Sequence, residues 1–139
     1  MQTMNKKAMA FLLAISFSNA NAVVVDSVDR IYDGDTITVT VKKWPKVFGD
    51  RIGVRIRGID APEIRGKCAK EKRKALEAKR VVVDMIKGGE VVQVEDIERG
   101  KYFRIVGDVY VDGVSVAGVL LYKGLARPYN GKTKRKGWC

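Results

Sequence analysis

Residues 51 to 63 read RIGVRIRGIDAPE, and the stretch changes character half-way along. In its first half Ile52, Val54 and Ile56 share one face by alternation, and Arg51, Arg55 and Arg57 share the other. A period of two with one apolar face is a half-buried β-strand. Pro62 then ends the strand, because proline has no N–H to give to a sheet ladder. Two acids, Asp60 and Glu63, are left at the break, where strand gives way to loop.

The chain on both sides continues in strands. VVVDSVDRIY (23–32) and TITVTV (36–41) carry β-branched residues around Asp33-Gly34-Asp35. Asp-Gly between β-prone runs is a hairpin-turn signal, and it recurs at Asp112-Gly113. KKWPKVFGD (42–50), with Pro45 and Gly49, reads as a loop. From about Ala69 to Lys87 the period becomes helical, with Ala75, Ala78, Val82, Met85 and Ile86 on one face, and Gly88-Gly89 stops it. Strands resume with EVVQVE (90–95) and YFRIVGDVYV (102–111). DGVSVAGVLLYKG (112–124) fits a short helix, with Val116, Val119 and Leu120 on one side, or a further strand. The basic tail RPYNGKTKRKGWC closes the chain. Five short strands with one long and one short helix make a small α+β domain, mainly β. A five-stranded sheet that curls into a barrel hides the edges it would otherwise expose.

The first 22 of the 139 residues read as a signal peptide. Lys6 and Lys7 form a positive start, AMAFLLAISF is a short apolar centre, and Ala20-Asn21-Ala22 is a small-x-small cleavage site. The apolar run is too short to cross a bilayer comfortably. One domain, residues 23–139, is then expected to act outside the cytoplasm, in the periplasm or fully secreted, as a monomer with no stable membrane association. The leader holds two Lys and no acid, which leaves +9 of the formal +11 charge on the exported part. So basic an exported protein meets a polyanion, whether nucleic acid, anionic lipid or wall polymer. With no His in the chain, a His-based triad or metal site is excluded. Acid–base and metal chemistry fall to carboxylates, with Arg or Lys for anions. Two cysteines, Cys68 and Cys139, are an even count, which in an oxidising compartment points to a disulfide. In the chain-entropy picture, closing a loop of roughly 70 residues is worth about 4 kcal/mol.

Two acid clusters stand out among sixteen scattered acids: Asp33 with Asp35, and Asp60 with Glu63. Either pair alone is explained by turn formation, since Asp caps its own turn. Taken together, two carboxylates from different loops plus a backbone carbonyl make an open site for a hard cation such as Ca²⁺. A third carboxylate nearby can orient or deprotonate a water, and Glu63 is the candidate. Phosphodiester hydrolysis also needs positive charge where the transition state gathers negative charge, and the planar fork of Arg supplies it. Arg55, Arg57 and Arg104 are placed for this; alternation does not choose between Arg55 and Arg57.

DGDT, RIRGIDAPE, KYFR and VDG…KGLARPY, in this order, resemble the staphylococcal nuclease (thermonuclease) family over about residues 26 to 130. The resemblance implies an OB-fold, a five-stranded barrel with helices packed around it, and a calcium-dependent phosphodiesterase acting on DNA and RNA. By the resemblance, Asp35 and Asp60 are calcium carboxylates and the carbonyl of Ala61 is a backbone ligand. Ala61 stands where the best-known member has Thr, a change a backbone ligand tolerates. Glu63 matches the acid that activates or orients water, and Arg55 and Arg104 match the two arginines on the scissile phosphate. Asp33 matches a supporting acid near the metal, and Lys101 and Tyr102 match contacts to a terminal phosphate. The chain departs from the family in three places. Its first long hairpin loop is extended and carries Trp44 and Phe48, which either stack bases or pack on the barrel rim. It ends before the family's C-terminal helix, and a Cys68–Cys139 bridge would pin the shortened end near the loop after Glu63. Of the base-contacting tyrosines only Tyr129 is nearby.

Three functions compete on these grounds: an exported calcium-dependent nuclease, a non-catalytic OB-fold nucleic-acid-binding module, and a cationic surface protein using KCAKEKRK and KTKRK. The joint presence of Asp35, Asp60, Glu63, Arg55 and Arg104 favours the first.

Overall fold

The computed structural model of the chain describes residues 21–133 and 136–139. The leader expected at residues 1–22 therefore lies almost wholly outside the described residues, as do Lys134 and Arg135 of the tail. Along the chain the elements are β1 (Val23–Val24), β2 (Ser27–Ile31), β3 (Thr36–Thr40), a single helical turn α1 (Lys46–Gly49), β4 (Ile52–Ile56), β5 (Ile59–Asp60), α2 (Ala69–Gly88), β6 (Val92–Arg99), β7 (Arg104–Val111), β8 (Val114–Ser115), α3 (Val116–Tyr122) and β9 (Arg127–Pro128). Among the described residues no helix is long and apolar enough to cross a membrane.

The main sheet runs in the order β1-β6-β7-β4-β3-β2, with β8 on β7. β2, β3 and β4 form an antiparallel meander, and β4 then pairs in parallel with β7. The two edges of this sheet, β1 and β2, belong to one run of chain. Val25 donates its N–H to Val92 O and the next residue, Asp26, donates to Thr40 O, each at 2.9 Å. One strand thus serves both edges, and the sheet curls into the five-stranded barrel of an OB-fold. Irregular registers in β2 at Val28/Arg30 and in β6 at Glu95/Glu98 supply local bends of the kind that closure requires.

Alternation decides what the barrel holds. Ile37 and Val39 of β3, Val54 and Ile56 of β4, and Val94 and Val109 across the β6–β7 pair are almost fully buried. Ala78 and Val82 of α2 and Val116 and Leu120 of α3 pack on the same core. Burying a Val, Leu or Ile side chain fully is worth about 1.5–3 kcal/mol, so this apolar set is what carries the fold.

Three local outcomes go beyond the sequence reading. Residues 42–50 are not all loop: Pro45 accepts from Phe48 N (2.8 Å) and Gly49 N (2.9 Å), closing one helical turn. Residues 112–124 divide into a two-residue strand and then a helix. Ser115 decides the switch, since its hydroxyl accepts from Gly118 N at 3.0 Å and caps α3. The two Asp-Gly pairs also differ. Asp112 (φ 47°) and Gly113 (φ 79°) are both left-handed, as a two-residue primed hairpin turn demands. Asp33 and Gly34 are not. Gly34 is needed instead for close approach, because a Cβ there would lie 2.9 Å from the Ala78 Cβ on α2 and 3.0 Å from the Ala61 Cβ.

Cys68, at the start of α2, is disulfide-bonded to Cys139 across 71 residues. The bridge ties the tail to the start of α2. Trp138 is buried there under the Arg127 guanidinium, 4.0 Å from its ring, and Arg127 Nη1 donates to Gly137 O at 2.7 Å.

Candidate active site

The DGD loop between β2 and β3 turns its acids inward. Asp33 and Asp35 are each 2% exposed, and Asp60, on β5, is 5% exposed. Buried carboxylates persist only where hydrogen bonds and opposite charge compensate them. Asp35 is held on every side. It takes the Ala61 N–H on Oδ2 (2.8 Å), the Thr36 hydroxyl on Oδ1 (2.9 Å), and an ion pair from Arg55. Asp33 supports it from behind, accepting the Asp35 N–H on Oδ1 at 3.0 Å.

Arg55 is the connecting side chain. From the middle of β4, opposite Thr36 of β3, one guanidinium nitrogen pairs with Asp35. The other lies 3.7 Å from Asp60 Oδ1 and donates to Ile59 O at 3.1 Å. Arg57 goes elsewhere: it pairs with Asp108 at 3.3 Å and Glu98 at 3.6 Å, and it bonds to the Asp96 carbonyl. The choice that alternation left open is therefore resolved by geometry, with Arg55 at the acid cluster and Arg57 as a brace between β4 and the β6–β7 pair.

Electrostatics marks the same spot. Burial first, and then the charge of Asp35, push the Asp33 carboxyl up to about 8, with Glu63 adding to the rise. Three acids therefore share one neighbourhood. Burial also raises Asp108, against the pull of Arg57.

The phosphate-binding candidates converge on the other side of Arg55. Arg55, Arg99, Lys101, Tyr102, Arg104 and Tyr129 line one hollow of about 630 Å³. Arg104 starts β7 beside Gly53 of β4, and its Nε is buried with no hydrogen-bond partner among the described residues. A buried guanidinium N–H in that state calls for an acceptor, and an anionic oxygen supplies one. Lys101 and Tyr102 ride on the turn between β6 and β7, with Tyr102 89% exposed. Tyr129, whose register the sequence left open, is fixed by its N–H to Gly58 O at 2.9 Å and faces this hollow.

Glu63 lines a different hollow, together with Asp60, Ala61 and Glu71 and with Lys136 and Trp138 of the tail. The loop carrying Glu63 is tied to α2 by Glu71, which accepts the Lys67 N–H at 2.8 Å. The tail lies here as a Cys68–Cys139 bridge leads one to expect, near the loop after Glu63; what the sequence did not single out is Lys136, which the bridge and the Arg127–Trp138 stack bring beside Asp60 and Glu63. Thr36 was in view only as part of DGDT; its bond to Asp35 gives it a place of its own.

These features match a known pattern along the chain. Residues 53–137 match the family described as Staphylococcal nuclease homologue. The chain belongs to the staphylococcal nuclease family. Among curated relatives, a "probable staphylococcal-like nuclease CAN1" of rice (Oryza sativa subsp. japonica) is 36% identical over 90 residues, covering 65% of this chain and 25% of that protein. "Endonuclease YncB" of Bacillus subtilis (strain 168) is 33% identical over 119 residues, 78% of this chain and 50% of that one. The "SPbeta prophage-derived endonuclease YokF" of the same bacterium is 35% identical over 111 residues, 73% and 33%. This staphylococcal nuclease family chain thus spans a quarter to a half of the length of these relatives.

The donor set can be tested for a metal. Among the described residues no three carboxylates converge as a ready-made cage. Asp35 and Asp60 do present oxygens from two different segments, both within reach of one guanidinium. Two carboxylates, a backbone carbonyl and water suit a hard cation; the chain has no His, and the nearby Cys139 is tied up in its disulfide, so nothing favours a softer one.

Proposed function

We propose that this chain is an exported, calcium-dependent nuclease that hydrolyses phosphodiester bonds of DNA or RNA. One observation carries the proposal: Arg55 joins a buried acid cluster to a basic hollow, so that acids for water and cation lie beside cations for phosphate. Family membership and the nuclease names of the relatives support it.

In this reading Arg104 and Arg55 grip the scissile phosphate from the shared hollow. Arg104 offers a buried Nε with no competing partner. Arg55 leans on Asp35 in the structure, so gripping phosphate requires it to turn part of its fork toward Arg104. Glu63 takes a proton from, or orients, a water that attacks phosphorus in line with the bond to the leaving 5′ oxygen, which breaks as the new P–O bond forms. Asp33 holds the Asp35 backbone and thereby the loop. Lys101 and Tyr102 receive a further phosphate at the rim. A calcium ion held by Asp35, Asp60 and the Ala61 carbonyl would supply positive charge against the reacting phosphate. Export is supported by the leader-like pattern of residues 1–22 and by the Cys68–Cys139 disulfide, which suits an oxidising compartment.

The test is cleavage of plasmid and single-stranded DNA with calcium or with chelator. Calcium-dependent cleavage is expected, and its absence at preserved DNA binding would leave the non-catalytic binding module instead. Arg104→Ala and Glu63→Gln should each lower the rate by roughly 10²- to 10³-fold, the usual cost of one preorganised group at developing charge. Unchanged rates in well-folded variants would overturn these roles.

A further inference from the structure

Beside the basic hollow lies a second one, of about 250 Å³ and of different character. Phe48, Ile52, Ile97, Phe103 and Ile105 give it an apolar lining, and Arg99 and Arg104 belong to both hollows. We propose that this apolar hollow is a nucleobase subsite. It takes one unpaired base of a strand whose phosphate lies against Arg104. The inference rests on the nucleic-acid reading above and names the form of substrate it favours.

Two segments build it. The first is the extended loop before β4. Trp44 and Phe48, which the sequence could not separate, part ways there: Trp44 packs against the core, whereas Phe48 is 55% exposed and faces the hollow. The second is the turn between β6 and β7. Gly100 N donates to Arg104 O at 2.8 Å, and between them Tyr102 (φ 57°) and Phe103 (φ 58°) are both left-handed. Large L-residues rarely take that conformation. Both sit in the tight turn that closes the β6–β7 hairpin, and the turn leaves their rings out of the core, with Tyr102 89% and Phe103 64% exposed. The turn sends Tyr102 to the basic hollow and Phe103 to the apolar one.

Charge selects the occupant. A nucleic-acid strand offers an apolar ring flanked by phosphates, which matches an apolar floor rimmed by Arg99 and Arg104. A second copy of this chain would bring the same two arginines against them. Glu98, the acid at the rim, pairs with Arg57 at 3.6 Å. A base inside a duplex cannot enter, so the subsite favours single strands, as aromatic platforms do in general.

Binding is measured without turnover, by anisotropy of a labelled oligothymidylate and of a blunt duplex, with chelator and the full chain. Phe48→Ala and Phe103→Ala should each weaken single-strand binding roughly five- to a hundredfold, the range for one lost stack, with the duplex unaffected. Phe103→Trp should retain single-strand affinity. Unchanged single-strand affinity in both alanine variants overturns the proposal, as does equal weakening for the duplex. Self-association of the parent chain that both alanine variants abolish, with single-strand affinity intact, also overturns it and assigns the face to a second copy. Because no hydrolysis is involved, a protein that never cleaves can still pass this test, and a good nuclease can fail it.

Discussion

Asp33 sits where water cannot reach it and where Asp35 and Glu63 add to the negative field. In the folded protein without metal it keeps its proton up to about 8, whereas an unfolded chain releases it near 3.8. Between those values the folded state holds more protons than the unfolded one, so stability falls as pH rises through that window. A thermal melt series in chelator should show the melting temperature declining from pH 4 toward pH 8. Asp33→Asn should flatten that slope; a parent protein with no slope would remove the basis for it. The same residue shows what a sequence conveys at this scale. The letters DGDT announced a loop with acids and, with IDAPE, which of them cluster. They did not announce that Gly34 is there for its lack of a side chain. That fact depends on Ala78, which stands 44 residues away in the sequence but a contact away in the barrel.

The seam between the DGD loop and α2 is the element-scale counterpart. Gly34→Ala pushes a methyl against Ala78 and Ala61, neither of which has a flexible end to yield. Overpacking of this kind costs about 1–3 kcal/mol. The melting temperature should fall, and because the loop positions Asp35, activity should fall with it. Gly118→Ala on α3 is the contrast: its new Cβ would meet only Ser115 at 3.4 Å. That change should leave stability unaltered or raise it by up to about 1 kcal/mol through helix propensity. A fall in Gly118→Ala equal to that in Gly34→Ala would contradict the packing argument. The strands and α2 were legible because burial on one face writes its period into the sequence. α3 was legible too, as one of two readings, from Val116, Val119 and Leu120 on one face; the α1 turn and the point where β8 gives way to α3 were not, since hydrogen bonds at Pro45 and Ser115 set them, below the reach of any period.

At the scale of the whole molecule, Cys68–Cys139 and the Arg127–Trp138 stack hold the tail beside Asp60 and Glu63. Replacing both cysteines by serine should lower stability by about 4 kcal/mol on the chain-entropy account. It should also shift Trp138 emission to the red as the ring meets water; unchanged emission would show that the tail stays without its bridge. The pairing was legible from an even cysteine count, and with it the docking of the tail near the loop after Glu63; the burial of Trp138 under Arg127 was not, because only the folded barrel gives that ring a place to lie. A different consequence follows from the run Val23–Ile31, which bonds to β3 on one side and β6 on the other. On a ribosome it emerges ahead of both partners, with β3 following at once but β6 only some seventy residues later. The β2–β3–β4 meander can assemble early from neighbours, while barrel closure must await a distant segment and pay the slow search that non-local pairing imposes. Until then the nascent chain shows an unpaired edge, the feature through which strands of different chains join. A fragment cut before Val92 keeps that edge open for good, so aggregation of such fragments, and not of the whole chain, is the hazard this architecture carries.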